Sequence, residues 1–393
     1  MAVCQTTFRL HPGFSLLTAN SPDIAALMGG IRDGATLISR KSGVDTMPRA
    51  PQQWLMCETA GSRGPPKVIR RNPASWIRSF EHSASKYGID QNATYATFGP
   101  LGHSLTLYAA MEAMALGASL CNLIKVSPRR QATILRDNQT TVVYATPTQL
   151  KLLLKGAEAA SVKLFPSIEF VFCGGGKLTP ELRDRLAERL PSARIFEFYG
   201  ASETSFVTIS DGTTPHDSVG PPYPEVRIGI GDSLSQSPFS LGEIWVQSPY
   251  LFDGYVAGGS TDTKWKGNAL TVGEFGYLDP AGRLFLQGRK SRMITVADIN
   301  VSLESIENVI AALEGVEFCA ALAKPDASRG QVPICIIQPA GQSLDTGKIA
   351  SHCRNAVGAH AAPHEVHLIT DMPLLKSGKP DLLDLAKRYG VNI

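Results

Sequence analysis

The segment from residue 94 to residue 199 alternates short apolar runs with helical patterns, and this alternation restricts the fold more than any other feature of the sequence. "ATYATFG", "TTVVYATP", "IEFVFCGGG" and "ARIFEFYG" are rich in β-branched and aromatic residues, as strands are. Helical patterns lie between them, among them the apolar segment 104–117 and "TPTQLKLLLKG", for which Thr148 is a possible N-cap. Strands that alternate with helices predict a mainly parallel sheet covered by helices.

The texture of the sequence changes after residue 205. Short alternating strands separated by glycine and proline predict a small β-rich subdomain at about 205–290. Beyond it, a helix at 302–315, three strands and a further helix predict a compact α+β domain at 292–393. The length of 393 residues also favours more than one domain. We therefore predict an α/β fold with a large N-terminal domain, residues 1–290, and a small α+β C-terminal domain.

Composition argues against several classes of protein. The formal net charge of +3 is too small to indicate a nucleic-acid or membrane partner. The longest apolar run is interrupted by Glu112 and Asn122, so a buried helix fits it better than a membrane span. Seven cysteines without a C-x-x-C pair, and an N-terminus without a basic-then-apolar leader, predict a cytoplasmic protein.

Two predicted strand ends carry glycine and polar residues where parallel sheets bind ligands. "CGGGKLTP" supplies a glycine cluster, and "FYGASET" supplies Tyr199, which can stack on a base, the hydroxyl of Ser202 and the carboxylate of Glu203, a hard oxygen ligand for Mg²⁺. Each segment alone is also consistent with a plain strand-to-helix or capped turn. Their occurrence on successive strands favours a nucleotide site.

The loop "TAGSRGPPK" combines the hydroxyls of Thr59 and Ser62, two glycines and Lys67. Backbone N–H groups in glycine-rich turns can bind anions. The loop is not a Walker A motif, because no Lys-Ser/Thr pair follows its last glycine at the required spacing. Alone it fits a solvated surface loop better than a phosphate site.

Three other segments carry candidate functional residues. "GEFGYLDPAGRLFLQGR" contains Glu274 and Arg289, which can bind ribose or phosphate but also suit a hairpin with surface charges. "KSGK" places Lys379 on a glycine turn before a solvated helix. The histidines of "HAAPHEVH" are not expected to bind metal, since His364 and His367 point to opposite faces of a predicted strand.

Together, in this order, these segments resemble the adenylate-forming superfamily, which includes acyl- and aryl-CoA synthetases and adenylation domains. "TAGSRGPPK" resembles its phosphate loop, "YGASE" its Y-G-x-T/S-E motif, "GEFGYLDPAGRLFLQGR" its ribose motif and "PLLKSGKPDLL" its C-terminal signature. The resemblance runs from about residue 51 to the end of the sequence. It implies that a carboxylate attacks Mg·ATP to give an acyl-adenylate and pyrophosphate, and that a thiol then takes the acyl group. The thiol is that of CoA or of the phosphopantetheine on an acyl carrier protein.

The resemblance also implies a role for each matching residue. It implies that the loop residues Thr59, Ser62 and Lys67 bind the β- and γ-phosphates and that Ser202 contacts the α-phosphate. It also implies that Glu203 binds Mg²⁺ and that Lys379 bridges the substrate carboxylate and the phosphate. The adenine wall is formed by Tyr199, Gly174, Gly175 and Gly176, and the ribose site by Glu274 and Arg289. The C-terminal domain is expected to rotate about a hinge at Ser291.

Several positions depart from the family pattern. Arg63 replaces a hydroxyl residue of the phosphate loop, where it either clamps phosphate or points to solvent. Glu274 replaces an aspartate, Ser291 replaces the usual Asp or Lys, and Asp298 replaces a glycine in the loop that lines the family's thiol tunnel. The segment before the phosphate loop is shorter than is usual in the family, which suggests a trimmed subdomain.

The acyl pocket is predicted from the segment "PLGHSLTLYAAMEAM" and the glycine of "YGASE". His103, Ser104 and Gly200 line it in the alignment, with Ser104 where amino-acid activators carry an aspartate. Without that carboxylate, a small aryl, alkyl or hydroxy acid is favoured over an α-amino acid. Two alternatives remain open: a non-catalytic homologue that keeps the fold, and a synthetase that forms an amide or ester from the same adenylate.

Overall fold

A computed structural model describes the chain in seven ranges, to which all structural statements refer: 6–18, 21–48, 51–59, 67–215, 217–341, 344–374 and 380–391. Contacts between residues divide the chain into two compact units. The first unit comprises Met1–Gly229, Trp245–Val272 and Asp279–Leu284. The second comprises Ile230–Ile244, Gly273–Leu278 and Phe285–Ile393.

Helices and strands are numbered in chain order. The α-helices are α1 Pro22–Arg32, α2 Pro73–Tyr87, α3 Ser104–Leu116, α4 Pro128–Asp137, α5 Pro147–Ala159, α6 Pro180–Arg189, α7 Leu303–Ala311, α8 Thr346–Val357 and α9 Leu382–Tyr389. The strands up to the end of the main sheet are β1 Ser15–Leu16, β2 Thr36–Arg40, β3 Gly43–Met47, β4 Leu55–Thr59, β5 Lys67–Arg71, β6 Thr94–Thr97, β7 Ser119–Asn122, β8 Val142–Ala145, β9 Phe170–Cys173, β10 Arg194–Ala201 and β11 Ser205–Ser210. The later strands are β12 Ser218–Gly220, β13 Arg227–Ile230, β14 Gly242–Gln247, β15 Gly254–Ala257, β16 Lys264–Lys266, β17 Ala269–Thr271, β18 Glu274–Leu278, β19 Leu284–Arg289, β20 Met293–Val296, β21 Ile299–Ser302, β22 Val316–Asp326, β23 Gly330–Pro339 and β24 Glu365–Leu368.

The main sheet of the first unit has the order β1-β7-β6-β8-β9-β10-β11. All of its neighbours are parallel except β10 and β11, which are antiparallel. Strands β8 and β9 are buried along their whole length, as expected for parallel strands covered on both faces. The predicted strands of this sheet are present. Ser205–Ser210, which the sequence analysis puts at the start of the β-rich subdomain, closes the main sheet instead because a tight turn folds it back onto β10.

A second sheet of the first unit has the order β15-β5-β4-β2-β3. Strands β4 and β5 form an antiparallel hairpin, and β15 adds to it from a distant part of the sequence. Strand β14 begins in the second unit, where Glu243 pairs with Phe275 of β18, and ends in the first, where Val246 pairs with Leu270 of β17.

Helix ends follow the local sequence. Helix α2 begins after Asn72, whose side chain accepts from the Ala74 N–H group, and ends at Gly88 with a φ of 70°. Helix α5 begins after Thr146, which forms a capping box with Gln149. The expectation that Thr148 caps α5 is therefore wrong, because Pro147 already occupies the first helical position and places Thr148 inside the helix.

The second unit contains a sheet of order β21-β20-β23-β22, and β24 adds to β23 in parallel. Helices α7 and α8 cover one hydrophobic cluster of this unit, which includes Ile306, Ile337 and Cys353. The contact-based division differs from the predicted boundary near Ser291, since residues 230–244 and 273–278 group with the C-terminal residues. The hinge stays a prediction. No helix in the described ranges combines the length and apolar character that a membrane crossing requires.

Candidate active site

The turn after β10 presents Ser202 and Glu203 at the carboxyl edge of the main sheet. The pairing of β10 with β11 shifts register between Tyr199 and Gly200. A Cβ atom on Gly200 would lie 1.9 Å from the Ser205 carbonyl oxygen, so this close return of the chain requires glycine. The Ala201 N–H group donates to the Thr204 hydroxyl over 2.9 Å and closes the turn.

The glycine cluster lies at the same edge, after the neighbouring strand β9. Strands β9 and β10 are parallel, with Cys173 opposite Glu197, so Gly174 follows directly beside Phe198. A Cβ on Gly174 would lie 2.2 Å from the Phe198 ring. Gly175 has a φ of 78°, and both Gly175 and Gly176 are exposed. The two predicted nucleotide-binding segments therefore meet at one edge of the sheet.

The first turn of α3 contacts the same turn. The hydroxyl oxygens of Ser104 and Ser202 are 2.7 Å apart and form a hydrogen bond. His103 is the N-cap residue of α3 but its side chain makes no capping hydrogen bond. Partial burial, and secondarily Lys41, lower the pKa of His103 below its ordinary value, which favours the neutral imidazole. Ser104, a predicted acyl-pocket residue, thus lies beside Ser202, a predicted phosphate contact.

Glu203 is held at two points by the segment that leads into β15. Its carbonyl oxygen accepts from the Phe252 N–H group over 2.8 Å. Its carboxylate oxygen Oε1 accepts from the Tyr255 hydroxyl over 2.7 Å. Sequence analysis missed Tyr255, since no motif marks a contact between residues 52 positions apart.

The hairpin of β4 and β5 bears the ends of the predicted phosphate loop. Thr59 and Lys67 are paired directly opposite each other at the end of the hairpin where the loop begins and ends, and Thr59 is buried. The Lys67 ammonium lies 5.9 Å from the centre of the Tyr255 ring, within cation–π range. Ser62 and Arg63 of the same loop lie outside the described residues.

Arg71, at the end of β5, is fully buried and donates hydrogen bonds to the turn that contains Ser202 and Glu203. It donates to the Ser202 carbonyl over 2.5 Å, to the Ser75 hydroxyl over 3.2 Å and to the Tyr250 carbonyl. Burial lowers the pKa of the guanidinium to about 10, against the opposing effects of Cys57 and Glu203. Arg71 remains a cation at neutral pH. The alternation of β5, in which positions 67, 69 and 71 share a face, was a sequence signal for this inward arginine.

Glu274 and Arg289, the predicted ribose residues, both belong to the second unit. Arg289 Nε lies 3.3 Å from Glu274 Oε1, and its backbone N–H donates to Glu304 over 2.9 Å. Each is therefore oriented by the other.

The remaining predicted residues lie near the C-terminal region. Ser291 lies in the short 3₁₀ helix Lys290–Arg292, and Lys379 lies outside the described residues. Asp298 has a φ of 64° in a two-residue loop between β20 and β21, where Ala297 has a φ of 47°. This left-handed backbone explains why glycine suits the position and why aspartate is tolerated there.

The oxygen donors at the Glu203 turn suit Mg²⁺. A single carboxylate with neighbouring hydroxyls is the kind of site that takes Mg²⁺ together with substrate phosphates and water. Within the described ranges no three His, Cys, Asp or Glu side chains form a group able to hold a metal ion by themselves. His367 instead contacts Glu365, with Nε2 and Oε2 3.0 Å apart.

Comparison with known proteins identifies relatives over most of the chain. A family model described as AMP-binding enzyme matches residues 29–256, and one described as AMP-binding enzyme C-terminal domain matches residues 305–379. The uncharacterized acyl-CoA ligase YhfT of Bacillus subtilis (strain 168) is 31% identical over 333 residues, which cover 83% of this chain and 66% of YhfT. The chain thus spans about two thirds of the length of this relative.

Solved structures share the fold. O-succinylbenzoate coenzyme A synthetase (MenE) from Bacillus subtilis, in complex with ATP and magnesium, matches with a TM-score of 0.74 at 22% identity, covering 83% of this chain and 68% of MenE. The amide bond synthetase McbA from Marinactinospora thermotolerans matches with a TM-score of 0.74 at 24% identity, covering 85% of this chain and 68% of McbA. The predicted α/β fold, with a large N-terminal region of parallel strands and a smaller C-terminal region, is confirmed.

Proposed function

Because the chain belongs to the AMP-binding enzyme family, we propose that it activates a small carboxylic acid with ATP and transfers the acyl group to the thiol of CoA. The first step forms an acyl-adenylate and releases pyrophosphate. One observation in the first unit carries the proposal: Ser104, Ser202 and Glu203 lie together at one edge of the main sheet. At the same place Tyr255 donates a hydrogen bond to Glu203, and its ring lies within cation–π range of Lys67.

Phosphate binding is assigned to the hairpin that begins and ends the loop "TAGSRGPPK". Thr59, Ser62 and Lys67 bind the β- and γ-phosphates, and Arg63 adds a further cation to this phosphate site. Glu203 holds Mg²⁺, which neutralises phosphate charge when it is bound with ATP. MenE, which shares the fold, binds ATP and magnesium, in agreement with this assignment.

Adenine binding is assigned to Tyr199 and the glycine cluster, and ribose binding to Glu274 and Arg289. The adenine ring packs between Tyr199 and the backbone of Gly174, Gly175 and Gly176, which side chains would otherwise obstruct. The ribose hydroxyls donate to Glu274, whose Oε1 lies 3.3 Å from Arg289 Nε.

The reacting groups are brought together by hydrogen bonds and charge. Ser202 donates to the α-phosphate, and Lys379 binds the substrate carboxylate and the α-phosphate together, so that the carboxylate oxygen attacks phosphorus and pyrophosphate leaves. His103, Ser104 and Gly200 line the acyl pocket. The lowered pKa of His103, and Ser104 where amino-acid activators carry an aspartate, suit an aryl or alkyl acid rather than an α-ammonium group.

CoA is proposed as the acceptor because YhfT and MenE are named as CoA ligases. The phosphopantetheine thiol of an acyl carrier protein and an amine are the competing acceptors, the second because McbA, an amide bond synthetase, shares the fold. Incubation of the enzyme with ATP, the preferred acid and each acceptor in turn distinguishes them by mass spectrometry of the product.

Acid-dependent exchange of pyrophosphate into ATP tests the first step, over a panel of aryl, alkyl and hydroxy acids. We expect exchange with at least one acid, and its loss in Lys379→Ala. Lys376→Ala, in the same "KSGK" segment, is the matched control and should retain exchange. Full exchange in Lys379→Ala would refute the role of that lysine. No exchange with any acid, together with no ATP-induced rise in Tm, would favour the non-catalytic homologue.

A further inference from the structure

Tyr255 lies on β15, where sheet register directs its ring toward the phosphate hairpin. In the antiparallel pairing of β15 with β5, Tyr255 is directly opposite Ile69. Residues two apart on a strand share a face, so Lys67 and Ile69 lie on the side where the Tyr255 ring stands. The ring accordingly has the Lys67 ammonium 5.9 Å from its centre.

The segment that carries Tyr255 is firmly attached to β5. The Asp253 N–H group donates to the Arg70 carbonyl over 2.8 Å, and the Arg70 side chain donates to the Asp253 carboxylate. The rings of Phe252 and Tyr255 pack edge to face, with their centres 5.1 Å apart. Tyr255 therefore occupies a defined position relative to the hairpin.

The hydrogen-bond directions at the Tyr255 hydroxyl follow from its single proton. An ionised carboxylate can only accept, so Tyr255 donates to Glu203 Oε1 over 2.7 Å. The Thr263 hydroxyl, 2.9 Å away, is then the donor to the Tyr255 oxygen. In the described part of the chain Glu203 Oε2 receives no hydrogen bond, so the contact fixes one carboxylate oxygen and leaves the other available.

We infer that Tyr255 is a positioning residue for the Mg²⁺·ATP complex: its hydroxyl orients the Glu203 carboxylate, and its ring holds the Lys67 ammonium through a cation–π contact. The inference rests on the proposed function. A carboxylate held by a neighbouring hydrogen-bond donor loses less conformational freedom when it binds a metal. Removal of a group that hydrogen-bonds to a metal ligand commonly lowers metal affinity about 10- to 100-fold. One tyrosine thus sets the position of the predicted metal ligand and of a predicted phosphate ligand.

The test measures ATP binding as a function of Mg²⁺ in the Tyr255→Phe variant. This change removes the hydroxyl and keeps the ring beneath Lys67. In a thermal-shift titration at fixed ATP, we expect the Mg²⁺ concentration at half-maximal effect to rise on the order of 10-fold. ATP binding in EDTA, measured by calorimetry, should stay within twofold of the wild-type value, because Lys67 and its support are unchanged.

Tyr144→Phe is the matched control. It also removes a tyrosine hydroxyl that donates to a glutamate of the first unit, over 2.8 Å to Glu112. We expect it to lower Tm without changing the Mg²⁺ concentration at half-maximal effect. An equal Mg²⁺ shift in both tyrosine variants would mean that a general loss of stability causes it, and would overturn the inference.

A double-mutant cycle gives a second, independent outcome. In a Glu203→Gln background, Tyr255→Phe should produce no further change in the Mg²⁺ response, because the carboxylate that it orients is absent. Additive effects would overturn the inference. Failure of the wild-type protein to show any Mg²⁺-dependent response to ATP would refute the proposed function instead, so the two failures are distinguishable.

Discussion

Glu112 and Glu203 of the first unit both accept hydrogen bonds from tyrosine hydroxyls, and they differ in how much of the carboxylate those hydroxyls occupy. Glu112, in the middle of α3, is fully buried and accepts from Tyr144 over 2.8 Å, Tyr95 over 3.1 Å and Tyr108 over 3.3 Å. Glu203, on the turn after β10, is half-buried and accepts from the hydroxyl of Tyr255.

The difference separates a structural carboxylate from one that can serve a ligand. Burial raises the pKa of Glu112 to about 7, and the surrounding hydroxyls oppose the rise but do not cancel it. Both of its oxygens are occupied by hydroxyl donors, so it links α3 to β6 and β8. Glu203 has a free oxygen in the described structure and lies at a strand end, where parallel sheets bind ligands.

Glu203→Gln should give the largest functional effect. Losing the carboxylate removes the predicted metal ligand while the side-chain shape is retained. We expect the kcat/KM of acid-dependent pyrophosphate exchange to fall roughly 1,000-fold, with Tm changed by only a few degrees. Activity within tenfold of the wild-type value would mean that Glu203 is not the metal ligand, and Glu203 would then not differ from Glu112 in function.

Glu112→Gln should change the pH dependence of stability. Because the pKa of Glu112 is about 7 in the folded state against an ordinary 4.5, the folded state binds its proton more tightly. This contribution is fully present below pH 4.5 and is lost as the pH rises through about 7, by about 3 kcal/mol in total. Urea unfolding between pH 4.5 and 8 should therefore show a flatter curve for Glu112→Gln than for wild type.

The exposed Glu188 provides the control for this titration. Glu188→Gln should reproduce the wild-type pH dependence of the free energy of unfolding. If Glu112→Gln also reproduces it, the Glu112 carboxyl does not titrate between pH 4.5 and 8, and the claim that burial raises its pKa is incorrect.

Tyr144→Phe should have an intermediate effect that depends on pH. Its hydroxyl is the closest donor to Glu112. At pH 8 the carboxylate is charged, and loss of a charge-assisted hydrogen bond should cost about 2 kcal/mol in the free energy of unfolding. At pH 5 the carboxyl is protonated, so the cost should be about half as large. Equal costs at both pH values would contradict a carboxyl with a pKa of about 7.

The sequence predicted the elements that carry the site more completely than the contacts that support it. The strand ends at the glycine cluster and at Ser202 follow from local apolar runs and breakers, which are short-range signals. The contacts of Tyr255 and Arg71 depend on which distant strands become neighbours: β15 pairs with β5 although the paired residues Ile69 and Tyr255 are 186 positions apart. No local pattern encodes that pairing.

Two other regions show the same limit. Between residues 21 and 48 the chain forms α1 and strands β2 and β3, elements that no motif of the sequence predicted. At Asp298 the sequence identified a departure from the family's glycine, and the structure supplied the reason, a φ of 64°.

Ser104→Ala should give the smallest effect and tests whether the two glutamates act independently. Ser104 begins the helix that carries Glu112, and its hydroxyl contacts Ser202, the residue before Glu203. Loss of this partly buried hydrogen bond should cost less than about 1 kcal/mol in stability and raise the KM for the acid a few-fold. With Ser104 present, Glu112→Gln should leave the Mg²⁺ response within twofold of wild type, because a single contact between two hydroxyls transmits little energy from one carboxylate to the other. A fivefold shift in Glu112→Gln that disappears in the Ser104→Ala double variant would show instead that α3 couples the buried glutamate to the site.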